Sequence, residues 1–194
     1  KYKFFWSGDK SGLRGFGVLL HSKLVFNVIS VLRLDHRIMQ LRILLGKMIM
    51  NVFCVYAPQV GLPEETKDLF YNNLLNNISK VPSDEFLLIC GDLNGHVGKL
   101  STGFDNIHGG NCFGNLNREG TRILDLCAAA NLAVANTFFK KPDSQLITYQ
   151  SGNVSTQVDY ILIRRCELKQ VRNVKVLGSE ECITQHKLLV CDIT

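Results

Sequence analysis

Two short segments place polar side chains directly at the ends of apolar runs, where a rigid strand can present them to a ligand. Asp92 and Asn94 follow the apolar run that Gly91 ends, in the sequence Gly-Asp-Leu-Asn-Gly. Tyr56 ends another run, in Val-Tyr-Ala-Pro, because Pro58 cannot continue a strand's hydrogen-bond ladder. A strand end can present such a carboxylate and amide to a ligand, and the Tyr56 hydroxyl can donate to a phosphate oxygen. Asp and Asn-Gly are also common turn formers, and packing of Tyr56 against its neighbours is the other interpretation.

Asp159 and His186 are a second possible pair. Asp159 lies in the apolar run Gln-Val-Asp-Tyr-Ile-Leu, where a carboxylate is costly unless it is paired or hydrogen-bonded. His186 starts the run His-Lys-Leu-Leu-Val. If Asp159 orients its ring, His186 is suited to proton transfer or to stabilising a phosphorane-like transition state. An ordinary ion pair at Asp159 and a structural role for His186 are the alternatives.

The composition predicts a folded domain. The chain has 194 residues, 46% of them hydrophobic, which is enough to bury a substantial core. No apolar stretch is long enough to cross a bilayer and the first residues lack a signal-peptide pattern, so we expect a soluble, intracellular protein with no membrane partner. The net charge of +5 favours a polyanionic partner without identifying one. The seven cysteines include no closely spaced pair suited to zinc and are expected to be reduced thiols.

The apolar pattern predicts strands interleaved with two helices. Helical spacing of Phe70, Leu74 and Ile78 predicts a helix that Pro63 opens, and Asn117 is placed to cap a second helix. Gly46 and Lys47 predict a turn between two strands. Strands are predicted at residues 17–20, 24–34, 39–45, 48–56, 86–90, 132–135, 158–163, 168–176 and 186–193. This alternation indicates a layered α/β domain and leaves the strand order open.

In this order along the chain, the polar segments resemble the endonuclease/exonuclease/phosphatase superfamily. The match comprises the tyrosine of Val-Tyr-Ala-Pro, the Gly-Asp-Leu-Asn element, the pair Asn136-Thr137, the Gln-Val-Asp-Tyr strand and the final histidine. Residues 117–120, 131–139 and 184–190 are further similar to RTE-type retrotransposon endonucleases and the related craniofacial development protein 2 group. The resemblance covers nearly the whole chain. It implies one domain over residues 1–194 with an α/β four-layer fold, in which two packed mixed β-sheets are flanked by helices.

The resemblance also implies a role for each matched residue. Asp92 would orient or deprotonate the attacking water, and Asn94 would hold that water or the scissile phosphate. His186 would bind the phosphate and stabilise developing charge, with Asp159 orienting its ring. Tyr56 would support the phosphate.

Three more residues are implied as contacts to nucleic acid. They are Asn136, Thr148 and Tyr149. The aromatic face of Tyr149 suits a sugar or a base.

Mg²⁺ or Mn²⁺ is the cofactor that the resemblance implies, held by a glutamate in the superfamily's first strand-helix segment. That segment would precede residue 1, so the domain is expected to be truncated at its N-terminus and its metal binding weakened. Glu64, Glu65 and Asp84 do not stand in the position of that glutamate. Gln185 stands where many members have aspartate, which removes a negative charge and is interpreted as a feature of the RTE-type branch.

The sequence therefore predicts a metal-dependent endonuclease domain that hydrolyses DNA phosphodiesters and derives from a non-LTR retrotransposon. DNA is the expected substrate, and a nuclear location would suit it. One alternative is a catalytically inactive remnant that binds nucleic acid or protein, because the glutamate is not seen. The other is a phosphatase acting on another phosphoester, because the reacting group is the same.

Overall fold

The computed structural model describes residues 1–8, 15–178 and 185–194, so Cys182 and Thr184 lie outside the described residues. The elements along the chain are β1 (Tyr2–Ser7), β2 (Phe16–His21), α1 (Ser22–Val25), β3 (Val28–Arg33), β4 (Ile38–Leu45), β5 (Met48–Tyr56), α2 (Glu64–Ile78), β6 (Phe86–Asp92), α3 (Arg118–Ala129), β7 (Leu132–Val134), β8 (Tyr149–Ser151), β9 (Val154–Thr156), β10 (Asp159–Arg164), β11 (Val171–Leu177) and β12 (Leu188–Ile193). Short 3-10 helices span Ala135–Phe138, Asp143–Gln145 and Arg165–Gln170.

The centre of the molecule is a six-stranded mixed sheet in the order β3-β4-β5-β6-β10-β7. β5 and β6 run parallel, and the other neighbouring strands are antiparallel. Successive side chains of a strand point to opposite faces, so each central strand supplies two cores. Phe53 and Ile89 are buried on one face, while Ile161 is buried on the other.

The two long helices pack against one face of this sheet. Phe70 and Leu74 of α2 and Ile123 and Leu124 of α3 share one buried cluster with Phe53. Their spacing puts them on one side of each helix, as the sequence predicted for the first of the two. The helices therefore lie together over the middle of the sheet.

Both predicted helix starts are confirmed. α2 begins directly after Pro63. Asn117 caps α3, because its Oδ1 accepts from the Gly120 N–H at 2.7 Å. The same oxygen accepts from the His96 N–H at 2.9 Å, so one side chain joins the start of α3 to the loop after β6. Gly120 permits this approach, since a Cβ there would lie 1.8 Å from the His96 carbonyl oxygen.

The opposite face carries two antiparallel ladders, β1–β2 and β11–β12. Both ladders cover this same face. Leu20 of β2 packs with Met39 over one half of it, and Val174 of β11 packs with Ile161 over the other half. The α/β sandwich predicted from the sequence is confirmed: the described residues form a helix layer, a six-stranded sheet and a second layer of paired strands. Of the helices described, none is both long and apolar enough to span a bilayer.

Three predicted strands begin two or more residues later than expected, whereas the other starts agree to within one residue. Residues 24–34 do not form one strand, because α1 ends at Val25 and β3 begins only at Val28; Leu24 and Val25 instead pack on the core beside Leu20. Residues 165–170 form a 3-10 helix, so β11 begins later than predicted. The strand predicted from His186 begins at Leu188. In the first case, packing of Leu24 and Val25 on the core overrides a local apolar run. In the last, His186 forms an isolated bridge with Tyr149 before the strand begins.

Candidate active site

Three of the predicted residues lie side by side at one edge of the central sheet. β5 and β6 run parallel with Tyr56 opposite Asp92. β6 and β10 run antiparallel with Asp92 opposite Asp159. The end of β5, the end of β6 and the start of β10 therefore meet, and strand register brings a phenol and two carboxylates to adjacent positions.

The turn after β6 holds Asp92 at this edge. Gly91 has a φ of 148°, and a Cβ on it would lie 1.9 Å from the Val55 carbonyl oxygen, so only glycine fits here. Asp92 Oδ1 accepts from the Asn94 N–H at 2.9 Å. Asn94 adopts a φ of 48°, and its Nδ2 donates to the Ala57 carbonyl at 2.8 Å. Asp92 and Asn94 thus form the turn and are also the candidate site residues.

His186 reaches the same edge from the end of the chain. It forms an isolated bridge with Tyr149, and the two rings pack edge to face with centroids 4.9 Å apart. His186 Nδ1 lies 3.0 Å from Asp159 Oδ2. Its Nε2 lies 3.9 Å from Asp92 Oδ2. The two ring nitrogens therefore face two different carboxylates.

The surroundings of Asp92 and His186 raise the pKa of both groups. Burial and the negative charge of Asp159 raise the pKa of Asp92 to about 6, although the Asn94 N–H and His186 oppose this. The hydrogen bond with Asp159 is the main cause that raises the pKa of His186, and the charge of Asp92 adds to it. Asp92 can thus exchange a proton near neutral pH, and the cationic form of His186 is favoured beside it.

A cleft of about 500 Å³ opens over these groups. Five of the residues predicted from the sequence line it: Tyr56, Asp92, Asn94, Tyr149 and His186. Asp159 contributes through its contact with the imidazole ring. The structure therefore brings six of the eight predicted residues to one place.

Sequence reasoning missed Gln59 and assigned Gln185 only by resemblance, and both line the cleft. Gln59 Nε2 donates to the Tyr56 hydroxyl oxygen at 3.3 Å. The Tyr149 hydroxyl donates to Gln185 Oε1 at 2.9 Å, and Gln185 Nε2 donates to Ser151 Oγ at 2.7 Å. Pro58 indicated that the chain leaves the strand before Gln59, but a proline does not specify the direction in which the chain continues.

Asn136 and Thr148 are not among the residues that line the cleft and are buried, with 2% and 0% of their surface exposed. Asn136 Oδ1 accepts from the Ile161 N–H at 2.9 Å, and its Nδ2 donates to the Asp159 carbonyl at 3.3 Å. Thr148 also bonds the start of β10. The predicted contact of these two side chains with nucleic acid stays a prediction, and their bonds here are to the backbone that carries Asp159.

The described residues do not by themselves form a metal centre. Among them, no three His, Cys, Asp or Glu side chains are grouped so as to hold a metal ion. Glu64 is ion-paired with Lys67 and Arg122. Asp84 precedes β6 whereas Asp92 ends it, and a seven-residue strand separates its ends by about 20 Å. Neither acid replaces the expected glutamate.

Two solved structures of similar fold cover essentially the whole chain. The endonuclease domain of TRAS1, a telomere-specific non-LTR retrotransposon, matches with a TM-score of 0.72 and 16% identity over 99% of this chain and 80% of that one. A variant of the 3′ phosphatase NExo from Neisseria, bound to product DNA hairpin, matches with a TM-score of 0.70 and 14% identity over 100% of this chain and 79% of that one. The chain has the fold of the endonuclease/exonuclease/phosphatase superfamily.

In sequence, the chain is similar to craniofacial development protein 2. It is 31% identical to the protein of Tragulus javanicus and 30% identical to that of Bos taurus, each over 189 residues and 96% of this chain. It spans about a third of the length of these curated relatives, 33% and 32% respectively. No protein-family model matches the chain.

Proposed function

We propose that this chain is a DNA phosphodiesterase domain, a metal-dependent endonuclease derived from a non-LTR retrotransposon. One observation carries the proposal. At the edge of a cleft, His186 Nδ1 lies 3.0 Å from Asp159 Oδ2 and His186 Nε2 lies 3.9 Å from Asp92 Oδ2. A base that titrates near neutrality beside a histidine oriented by a second carboxylate suits attack of water on a phosphoester.

Each of these groups has a separate task in the proposed reaction. Asp92 takes a proton from the water that attacks phosphorus, because its raised pKa makes it a better base than an exposed carboxylate. The P–O bond to the leaving sugar oxygen breaks, and that oxygen takes a proton from solvent. His186, whose cationic form the contact with Asp159 favours, stabilises the charge that develops on the phosphate oxygens. Tyr56, at the adjacent strand end, supports the phosphate. Mg²⁺ or Mn²⁺, which the resemblance implies, would neutralise phosphate charge when bound.

DNA is the substrate that the comparisons favour. One neighbour is a retrotransposon endonuclease and the other is a phosphatase bound to product DNA hairpin. The net charge of +5 also suits a polyanion. A nuclear location would follow from such a substrate and is part of the proposal.

Nicking of supercoiled plasmid tests the proposal. The chain and an N-terminally extended form are each assayed with Mg²⁺, Mn²⁺ or EDTA, together with His186→Gln and Asp92→Asn. His36→Gln is the matched control, because His36 is exposed outside the cleft. Support requires nicking that EDTA abolishes and that both site variants lower at least about 100-fold. Equal nicking by His186→Gln would count against it.

Phosphatase activity is the second candidate, favoured by the likeness to the 3′ phosphatase NExo. The same proteins are therefore given an oligonucleotide with a 3′-phosphate, and release of inorganic phosphate is measured. Phosphate release without nicking would replace the endonuclease proposal with a phosphatase. Folded protein that does neither, yet shifts DNA in a gel, would indicate the non-catalytic binding module.

A further inference from the structure

Thr148 is connected to both partners of the Asp159–His186 pair. Its side chain is fully buried. Its Oγ1 accepts from two consecutive backbone N–H groups, those of Val158 at 3.0 Å and Asp159 at 3.1 Å. One hydroxyl oxygen thus fixes the first residue of β10, whose side chain contacts the imidazole ring.

The backbone of Thr148 fixes the other partner. Its carbonyl accepts from the N–H of Lys187, the residue directly after His186, at 2.7 Å. Its own N–H donates to the Thr156 carbonyl at 3.0 Å, which ties it to β9. Tyr149, the next residue, forms the bridge and the ring contact with His186. Two segments that are distant in sequence are therefore held to a single residue.

We infer that Thr148 is a positioning residue that sets the contact between His186 Nδ1 and Asp159 Oδ2 by holding both backbones at once. The β-branched side chain strengthens this role, since threonine has few χ1 rotamers and loses little freedom when it is fixed. The role in catalysis rests on the proposed function, whereas the effect on the contact itself does not.

Titration of His186 measures that contact directly. The imidazole Cε1–H resonances are followed by NMR against pH in EDTA without substrate, and the His186 resonance is assigned by its loss in His186→Gln. Thr148→Val keeps the shape of the side chain and removes the acceptor. We expect the pKa of His186 to fall toward its ordinary value in this variant, because the bond from Asp159 that raises it is loosened. Thr148→Ser keeps the acceptor and is expected to titrate like the unchanged chain.

Thr137→Val is the matched control. Thr137 is equally buried, and its Oγ1 accepts from the Gly109 N–H at 2.8 Å and donates to the Val134 carbonyl at 2.7 Å. It should lower the melting temperature as Thr148→Val does, without changing the titration of His186. A titration that is unchanged in Thr148→Val, or changed equally in Thr137→Val, overturns the inference and leaves Thr148 as a structural residue. If Thr148→Val does not fold, Thr148→Ala must give the lowered pKa instead.

The nicking assay separates this inference from the proposed function. In a chain that cuts DNA, Thr148→Val should lower kcat at least about tenfold with KM little changed, and Thr148→Ser should restore it. A lowered His186 pKa in a protein that cuts nothing would keep the positioning role and reject the function. If Thr148→Val cuts DNA as well as the unchanged chain and His186 titrates as before, the proposed function is kept and the positioning role is rejected.

Discussion

Replacing Asp92 by asparagine is expected to stabilise the folded chain while removing its proposed base. The carboxylate is mostly buried, with 15% of its side chain exposed, and it lies beside Asp159. Its pKa rises from 3.8 to about 6 on folding, a difference of about 2 pH units. At about 1.36 kcal/mol per unit, the ionised form costs the fold about 3 kcal/mol above pH 6. Asparagine has a similar shape and can still accept from the Asn94 N–H.

The sign of the effect determines how it varies with pH. The folded state binds the Asp92 proton more tightly than the unfolded chain, so this favourable contribution is present below pH 3.8 and is lost as the pH rises to about 6. The gain from Asp92→Asn should therefore be about 3 kcal/mol at pH 8 and about 1 kcal/mol at pH 4.5, with the attraction to His186 already included in the pKa of about 6.

Urea unfolding in EDTA, followed by far-UV circular dichroism at both pH values, measures this difference. Asp125→Asn is the control, because Asp125 is an exposed carboxylate on α3 and its loss should change stability little. Asp92→Asn that is no more stable than the unchanged chain at pH 8 would refute the reasoning. A gain of the same size at pH 4.5 would refute it too, since the gain would then not come from ionisation.

Three more predictions follow from the same geometry. The rate of nicking should rise with pH through about 6 as Asp92 loses its proton, and it should fall at higher pH as His186 becomes neutral. A rate that does not change from pH 5 to 8 would exclude these roles. Asn117→Ala should destabilise the fold by about 1–2 kcal/mol in urea unfolding, more than an ordinary cap, because two N–H groups lose their acceptor; Asn117→Asp should recover most of this. Gly91→Ala should lower the free energy of unfolding by more than about 3 kcal/mol, because its Cβ would overlap the Val55 carbonyl. A melting temperature within about 2–4 °C of that of the unchanged chain would contradict this and show that β5 and β6 can separate.

The elements most visible in the sequence are those with strong local signals. α2 and α3 begin where Pro63 and Asn117 predicted, because helix starts depend on nearby backbone groups. The turn at Gly46 is present, with a φ of 62°. By contrast, the hairpin β8–β9 was not predicted. Its two strands have three residues each, too few to show an alternating pattern.

The candidate site divides in the same way. Asp92 and Tyr56 could be recognised because each follows an apolar strand that ends abruptly at a glycine or a proline. Thr148 had no such signal, since its importance comes from bonds to residues 10 and 11 positions later and to the segment of His186. Its predicted contact with nucleic acid stays a prediction, and the bonds on which the proposed positioning role rests are visible only in the tertiary structure.

The sequence by itself determined which chemistry the chain carries: two carboxylates, a histidine, a phenol and an amide, each at the end or start of an apolar run. It also determined that the chain forms a layered α/β domain, because the spacing of its apolar residues is that of helices and strands with one or two buried faces. Only the tertiary structure decided that Tyr56, Asp92 and Asp159 are neighbours and that His186 faces both carboxylates. Strand order and register are long-range properties, set by how two faces of one sheet are covered, and no local pattern of residues specifies them.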